Sequence, residues 1–110
     1  MAYISISGRV SRPETKNING VDRFFFSIPE DVYENGETVT RWWGCSVWDE
    51  ALAARMSRII KKGSSVHLSG EFGSRLYQAG DGQWKVDHKL KVHGFEFNPS
   101  PIVTGKQTLH

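Results

Sequence analysis

A single cysteine, Cys45, leaves no means of building a disulfide framework or a thiolate zinc site. No apolar run approaches the roughly 20 residues of a membrane helix, so no membrane association is expected. The opening Met1-Ala2-Tyr3-Ile4-Ser5 has neither a basic leader nor the apolar core of a signal peptide, and the expected compartment is the cytoplasm. Metal-ligand spacing is missing as well. His67, His88, His93 and His110 form no i, i+4 pair, and neither metal nor cofactor is expected. Cys45 has no evident histidine or acid partner and reads as a buried, inert thiol. Asp49-Glu50 reads as charge at a helix N-terminus, not as an acid/base pair. Gly105-Lys106-Gln107-Thr108 lacks the upstream glycine and the strand-to-helix context of a phosphate loop. No catalytic residue emerges, and the expectation is a protein that is not an enzyme. What is present suits one ordinary domain: 110 residues, 38% hydrophobic and 24% charged, enough for a real but thin core.

The formal charge of +2 conceals a segregation. Residues 1–29 hold four basic and two acidic side chains. Residues 30–50 hold Glu30, Asp31, Glu34, Glu37, Asp49 and Glu50 against Arg41 alone. Residues 51–110 hold nine basic and four acidic side chains. Two readings stand. Either this is a solvated chain of mixed charge, or basic strands form a face that meets a polyanion.

Periodicity gives five strands and one helix. Ile4, Ile6 and Val10 alternate with Ser5, Ser7 and Arg9 in a first strand. Ser11 to Gly20, with Pro13, Asn17, Asn19 and Gly20, reads as a turn-rich loop. Arg23 to Ile28 is a second strand, Glu30 to Glu37 a hairpin loop around Asn35-Gly36, and Thr38 to Trp48 a third strand. The period then changes. Leu52, Ala53, Met56, Ile59 and Ile60 recur at helical spacing over 51–62, with Asp49 as N-cap and Gly63 as C-terminal cap. Ser65 to Phe72 and Trp84 to Phe97 are the last two strands, on either side of a turn at Gly80-Asp81-Gly82-Gln83. Five strands in so short a chain favour closure, because open edges invite aggregation. The predicted architecture is all-β: a five-stranded OB-fold barrel with one α-helix between strands 3 and 4. Such folds bind oligonucleotides and oligosaccharides. The domain is expected to span 1–97, followed by a flexible C-terminal tail over 98–110.

The third strand carries the functional signal. Thr40, Trp42, Gly44, Ser46 and Trp48 share one face; Val39, Arg41, Trp43, Cys45 and Val47 share the other. The second face is the more apolar and is predicted to be core, Trp43 included. Trp42 and Trp48 then point outward with small residues between them, so their indole faces stay uncovered. They either pack in a subunit interface or under a loop, or they stack nucleobases at roughly 1–3 kcal/mol each. Arg9, Arg12, Lys16, Arg75, Lys85, Lys89 and Lys91 are candidates for phosphate contact, each also readable as a plain solvated charge. Arg58, Lys61 and Lys62 are assigned to the helix end. Among Phe24, Phe25 and Phe26, Phe25 is expected on the binding side.

Taken in order, these segments resemble the bacterial single-stranded DNA-binding protein (SSB) family from about Tyr3 to Phe97. Ile4-Ser5-Ile6-Ser7-Gly8-Arg9-Val10 is similar to that family's first strand. Trp42 to Trp48 is similar to its third, with a stacking tryptophan and a second aromatic six residues on. Ile59-Ile60-Lys61-Lys62-Gly63 is similar to its helix end, with about one residue inserted in the helix segment. Ser64 to Phe72, which contains His67, is similar to its fourth strand, and Arg75-Leu76-Tyr77-Gln78 with Asp81-Gly82-Gln83 to its aromatic-glutamine and Asp-Gly signature. The resemblance implies sequence-independent binding of single-stranded DNA in replication, recombination and repair. It also implies nucleoid association and a homo-oligomer, tetramer favoured and dimer possible. It places Tyr77 as a third stacker, with Tyr33 and His67 as further contacts. The family's acidic C-terminal tail has no counterpart in Pro101 to His110, so either the protein lacks tail-mediated recruitment of replication partners or the sequence is a truncated form. Two alternatives remain: a dimeric OB-fold resembling primosomal replication protein N in replication restart, and a protein-interaction OB module with its tryptophans in an interface.

Overall fold

A computed structural model describes residues 2–99 of the chain. Residues 100–110, most of the expected tail, lie outside the described residues, as does Met1. Six strands and one helix follow in order: β1 (Tyr3–Arg9), β2 (Ser11–Ile18), β3 (Val21–Glu34), β4 (Glu37–Val47), α1 (Glu50–Ile59), β5 (Ser65–Gln78) and β6 (Trp84–Phe97). They form one sheet in the order β1-β5-β6-β4-β3-β2. Among the described residues only the β4–β6 pair is parallel. The two edges of this sheet are consecutive in the chain, joined through the buried Val10.

The predicted five strands are therefore six, and the helix falls between β4 and β5. The extra strand is the segment expected as a loop. Ser11–Ile18 pairs with β3, and Pro13, which has no N–H to give the ladder, sits where the register shifts between Ser11 and Glu14. The true turn is only Asn19-Gly20, both with positive φ (54° and 85°). Asn35-Gly36 repeats this at φ 50° and 81°. Positive φ at both central residues is the type I′ signature, whose twist matches the strands it joins. Hence the expected loop over 30–37 shrinks to two residues, and β3 and β4 run out together as a long hairpin.

The core is built from alternate positions: Phe24, Phe26 and Ile28 of β3; Trp43, Cys45 and Val47 of β4; Val66 and Leu68 of β5; Leu90 and Val92 of β6. Each fully buried aliphatic side chain contributes roughly 1.5–3 kcal/mol. Val39, predicted on this face, is exposed because it lies on the hairpin beyond the core. Helix α1 covers one end of the sheet through Ala53 and Met56. It starts as expected, with the Asp49 carboxylate accepting from the Leu52 N–H at 2.9 Å. It ends three residues early, at Ile59, because Ile60 turns to extended backbone and buries its side chain. Gly63, expected as the cap, takes φ 90° in the following turn, where its N–H donates to the Val10 carbonyl at 2.7 Å. Asp49→Ala is expected to lower stability by about 1 kcal/mol, read as a lowered urea midpoint with unchanged slope. Among the described residues no helix is long and apolar enough to cross a membrane.

Candidate nucleic-acid interface

The alternation of β4 sets the geometry. Trp43, Cys45 and Val47 point into the core, so Trp42, Gly44 and Ser46 point out, and Trp48 follows at the strand end. Trp42 is 46% exposed and Trp48 38%, enough to leave ring surface open to a ligand. Gly44 and Ser46 make the floor between them low. On one side Ser46 stands opposite Phe25 and Gly44 opposite Ser27 of β3. On the other, Gly44 is in register with Lys89 and Ser46 with Lys91 of β6. Lys89 lies across Gly44 closely enough that a Cβ there would sit 3.3 Å from its ammonium. Phe25, Ser27, Gly44, Ser46, Trp48 and Lys89, with Arg12 and Glu14 of β2, line a cleft of about 510 Å³.

Trp42, Phe25 and Trp48 each have a cation over the ring face. The Arg12 guanidinium lies 5.4 Å from the Trp42 ring centre, the Lys16 ammonium 5.1 Å from Phe25, and the Arg23 guanidinium 5.4 Å from Trp48. Phe25 meets Trp48 edge to face at 5.8 Å. Exposed cation–π contacts are worth only about 0.5–1 kcal/mol, so a stacking base displaces or joins them cheaply. Arg23 is a residue the sequence reading missed. Its alternation with Phe25 on the same strand was the available signal. Its guanidinium also donates to the Trp48 carbonyl, which ties the backbone to β3 where the chain leaves β4.

A second cleft, of about 460 Å³, opens between the β3–β4 and β5–β6 hairpins. Trp42 and Tyr77 both line it, with Lys85 beside Tyr77. Arg75 lies 5.7 Å over the Tyr77 ring and is ion-paired to Asp87 at 2.8 Å, so part of its charge is already engaged. The structure thus brings together Trp42, Trp48, Phe25, Arg12, Lys16, Lys89 and Lys91, with Tyr77, Arg75 and Lys85 on the adjoining hairpin. It sets the remaining candidates apart. His67 lies ten residues up β5 from Tyr77 and hydrogen-bonds Ser7 at 2.7 Å. Arg9 donates to the Gly63 carbonyl at 3.1 Å, and Tyr33 stands near the tip of the β3–β4 hairpin. Trp84, the remaining tryptophan, shares the far side of the β5–β6 hairpin with Leu76 and Val86.

Cys45 lies in the floor of the first cleft with its side chain buried. Burial pushes its thiol up to about 12, so at neutral pH it stays protonated. The folded protein is expected to resist a thiol reagent that labels it fully in denaturant, which a colorimetric thiol assay checks.

The Single-strand binding protein family model matches residues 1–98. The chain belongs to this family. Comparison with curated protein sequences returns no significant match. Among solved structures, the chain is similar to the SSB of Plasmodium falciparum in complex with ssDNA, at TM-score 0.69 and 21% identity, covering 90% of this chain and 96% of that one. It is similar to a small single-stranded DNA-binding protein from Streptomyces coelicolor (TM-score 0.66, 16% identity, 88% and 94% covered). It is also similar to the mitochondrial single-stranded DNA-binding protein Rim1 of S. cerevisiae (0.65, 18%, 87% and 93%). At these identities the likeness establishes the OB-fold: a mostly-β chain with one helix between β4 and β5.

Proposed function

We propose that this family member coats single-stranded DNA without sequence preference, by stacking bases on Trp42, Trp48, Phe25 and Tyr77. In this reading Arg12, Lys16, Arg23, Lys89 and Lys91 meet the phosphates along the floor, and Lys85 and Arg75 continue the track past Tyr77. Arg9 and His67 then serve only a strand that wraps on to the β1–β5 side. The observation that carries this is the open row Trp42-Gly44-Ser46-Trp48, with a cation over each of Trp42, Phe25 and Trp48. Every base has a π-face, so such a row accepts any sequence, at about 1–3 kcal/mol per stacked base. The protein acts by binding alone, in replication, recombination and repair. We read β1 and β2 as one strand bent at Val10, which closes a five-stranded barrel, and the working unit as a homotetramer.

Titration of intrinsic tryptophan fluorescence with oligo-thymidine tests this reading. Single strands are expected to quench and duplex is not, with log K falling by about 0.7 per phosphate contacted for each decade of salt. A folded protein whose emission is unmoved at low salt would overturn it and place the tryptophans in an interface.

A further inference from the structure

Glycine weakens the interior of a strand, so one found there answers to a turn, a bulge or the close approach of another group. Gly70 of β5 is accounted for in this way, because a Cβ there would run into the Lys91 carbonyl. Gly44 of β4 and Gly73 of β5 differ. Neither takes a positive φ, and the register of their pairings does not shift at either residue. What they share is a neighbour. Lys89 of β6 is in register with Gly44 on one side and with Gly73 on the other. One outward lysine thus lies between two glycines on the adjoining strands.

This gap lets the lysine lie flat. The nearest atoms to a Cβ on Gly44 would be the Lys89 ammonium at 3.3 Å and its Cδ at 3.4 Å. A Cβ on Gly73 would meet the Lys89 Cβ at 3.8 Å. The charge is therefore placed unlike the others on the platform. Arg12, Lys16 and Arg23 lie over rings, where a stacking base competes with them. Lys91 is in register with Glu71. Lys89 has only backbone beneath its ammonium, so it keeps its place while Trp42 and Trp48 take bases on either side. Two carboxylates face it. Asp87 lies 4.0 Å away and is held by Arg75 at 2.8 Å; Glu14 lines the same cleft and pairs with Lys16 at 3.6 Å.

We propose that Gly44 and Gly73 form a seat for Lys89, with Gly44 as the positioning residue, and that the seated ammonium holds one phosphate of the bound strand between the bases on Trp42 and Trp48. This rests on the function reading above and gives that site a fixed phosphate point.

The test is a double-mutant cycle read as affinity for oligo-thymidine over a range of salt. Lys89→Ala is expected to weaken binding several-fold at low salt and to reduce the slope of log K against log salt by about 0.7, one phosphate contact. Gly44→Val puts a branched side chain where the ammonium lies. It is expected to show the same losses of affinity and slope, with a urea midpoint unmoved or raised, since a β-branched residue suits a strand. The combined variant is expected to bind no worse than either single one. Gly44→Lys/Lys89→Ala moves the cation from β6 to β4 at the same place and is expected to recover the slope and most of the affinity. Losses that add overturn the seat, as does a Gly44→Val protein of weakened affinity and native slope, because valine then obstructs the strand instead of shifting the cation. So does an exchanged lysine that leaves the slope where Lys89→Ala put it, or a Lys89→Ala protein that binds like the native one. A native protein that binds no oligo-thymidine overturns the function reading, and the seat with it.

Discussion

Trp42→Ala is expected to weaken binding to oligo-thymidine by about 1–3 kcal/mol, roughly five- to 150-fold, while the protein unfolds at nearly the same urea concentration. The indole is half exposed and the Arg12 guanidinium lies over its ring, so truncation removes ligand contact more than core. The missing interaction is a stack, not a charge. The slope of log K against log salt should therefore match that of the native protein, with the whole line displaced. Competition titration at several salt concentrations reads both quantities. Equal affinity of the two proteins removes Trp42 from the site.

The neighbouring residue gives the opposite result. Trp43→Ala is expected to cost about 3–5 kcal/mol of stability, a large share of the 5–15 kcal/mol that holds such a domain. Its ring lies 5.3 Å from His88 and 5.7 Å from Phe72, centre to centre, and its indole N–H donates to Glu30 at 3.2 Å. Truncation opens a cavity at the base of the hairpin and leaves that carboxylate without its donor. Trp43→Phe, which keeps most of the volume, should lose less. Urea denaturation measures the loss. At a temperature where both variants are folded, Trp43→Ala should bind oligo-thymidine more nearly like the native protein than Trp42→Ala does.

That adjacent tryptophans divide in this way was legible from the period of two, which also put Phe25 on the outward face between buried Phe24 and Phe26. The N-cap at Asp49 and the buried thiol were legible for equally local reasons. Other features depend on pairing with distant segments. Ser11–Ile18 carries a proline and two turn-forming residues, and only the free edge of β3 makes it a strand. The β3 arm of the hairpin, Glu30 to Glu34, reads as a loop because its charged side chains hide the alternation that Val32 retains. The parallel pairing of β4 with β6, which sets Lys89 beside Gly44, joins residues 45 positions apart and leaves no local trace. Arg23 was within reach, since it shares the face of Phe25; its tie to Trp48 depends on where the chain leaves β4.

The central claim is that bases lie on Trp42 and Trp48 and nowhere near the core ring between them. Fluorine NMR of protein labelled with 5-fluorotryptophan, titrated with oligo-thymidine, tests it residue by residue once single Trp→Phe variants assign the signals. The Trp42 and Trp48 resonances should move on binding and that of Trp43 should stay. A shift at Trp43 with Trp42 and Trp48 unmoved would contradict the account.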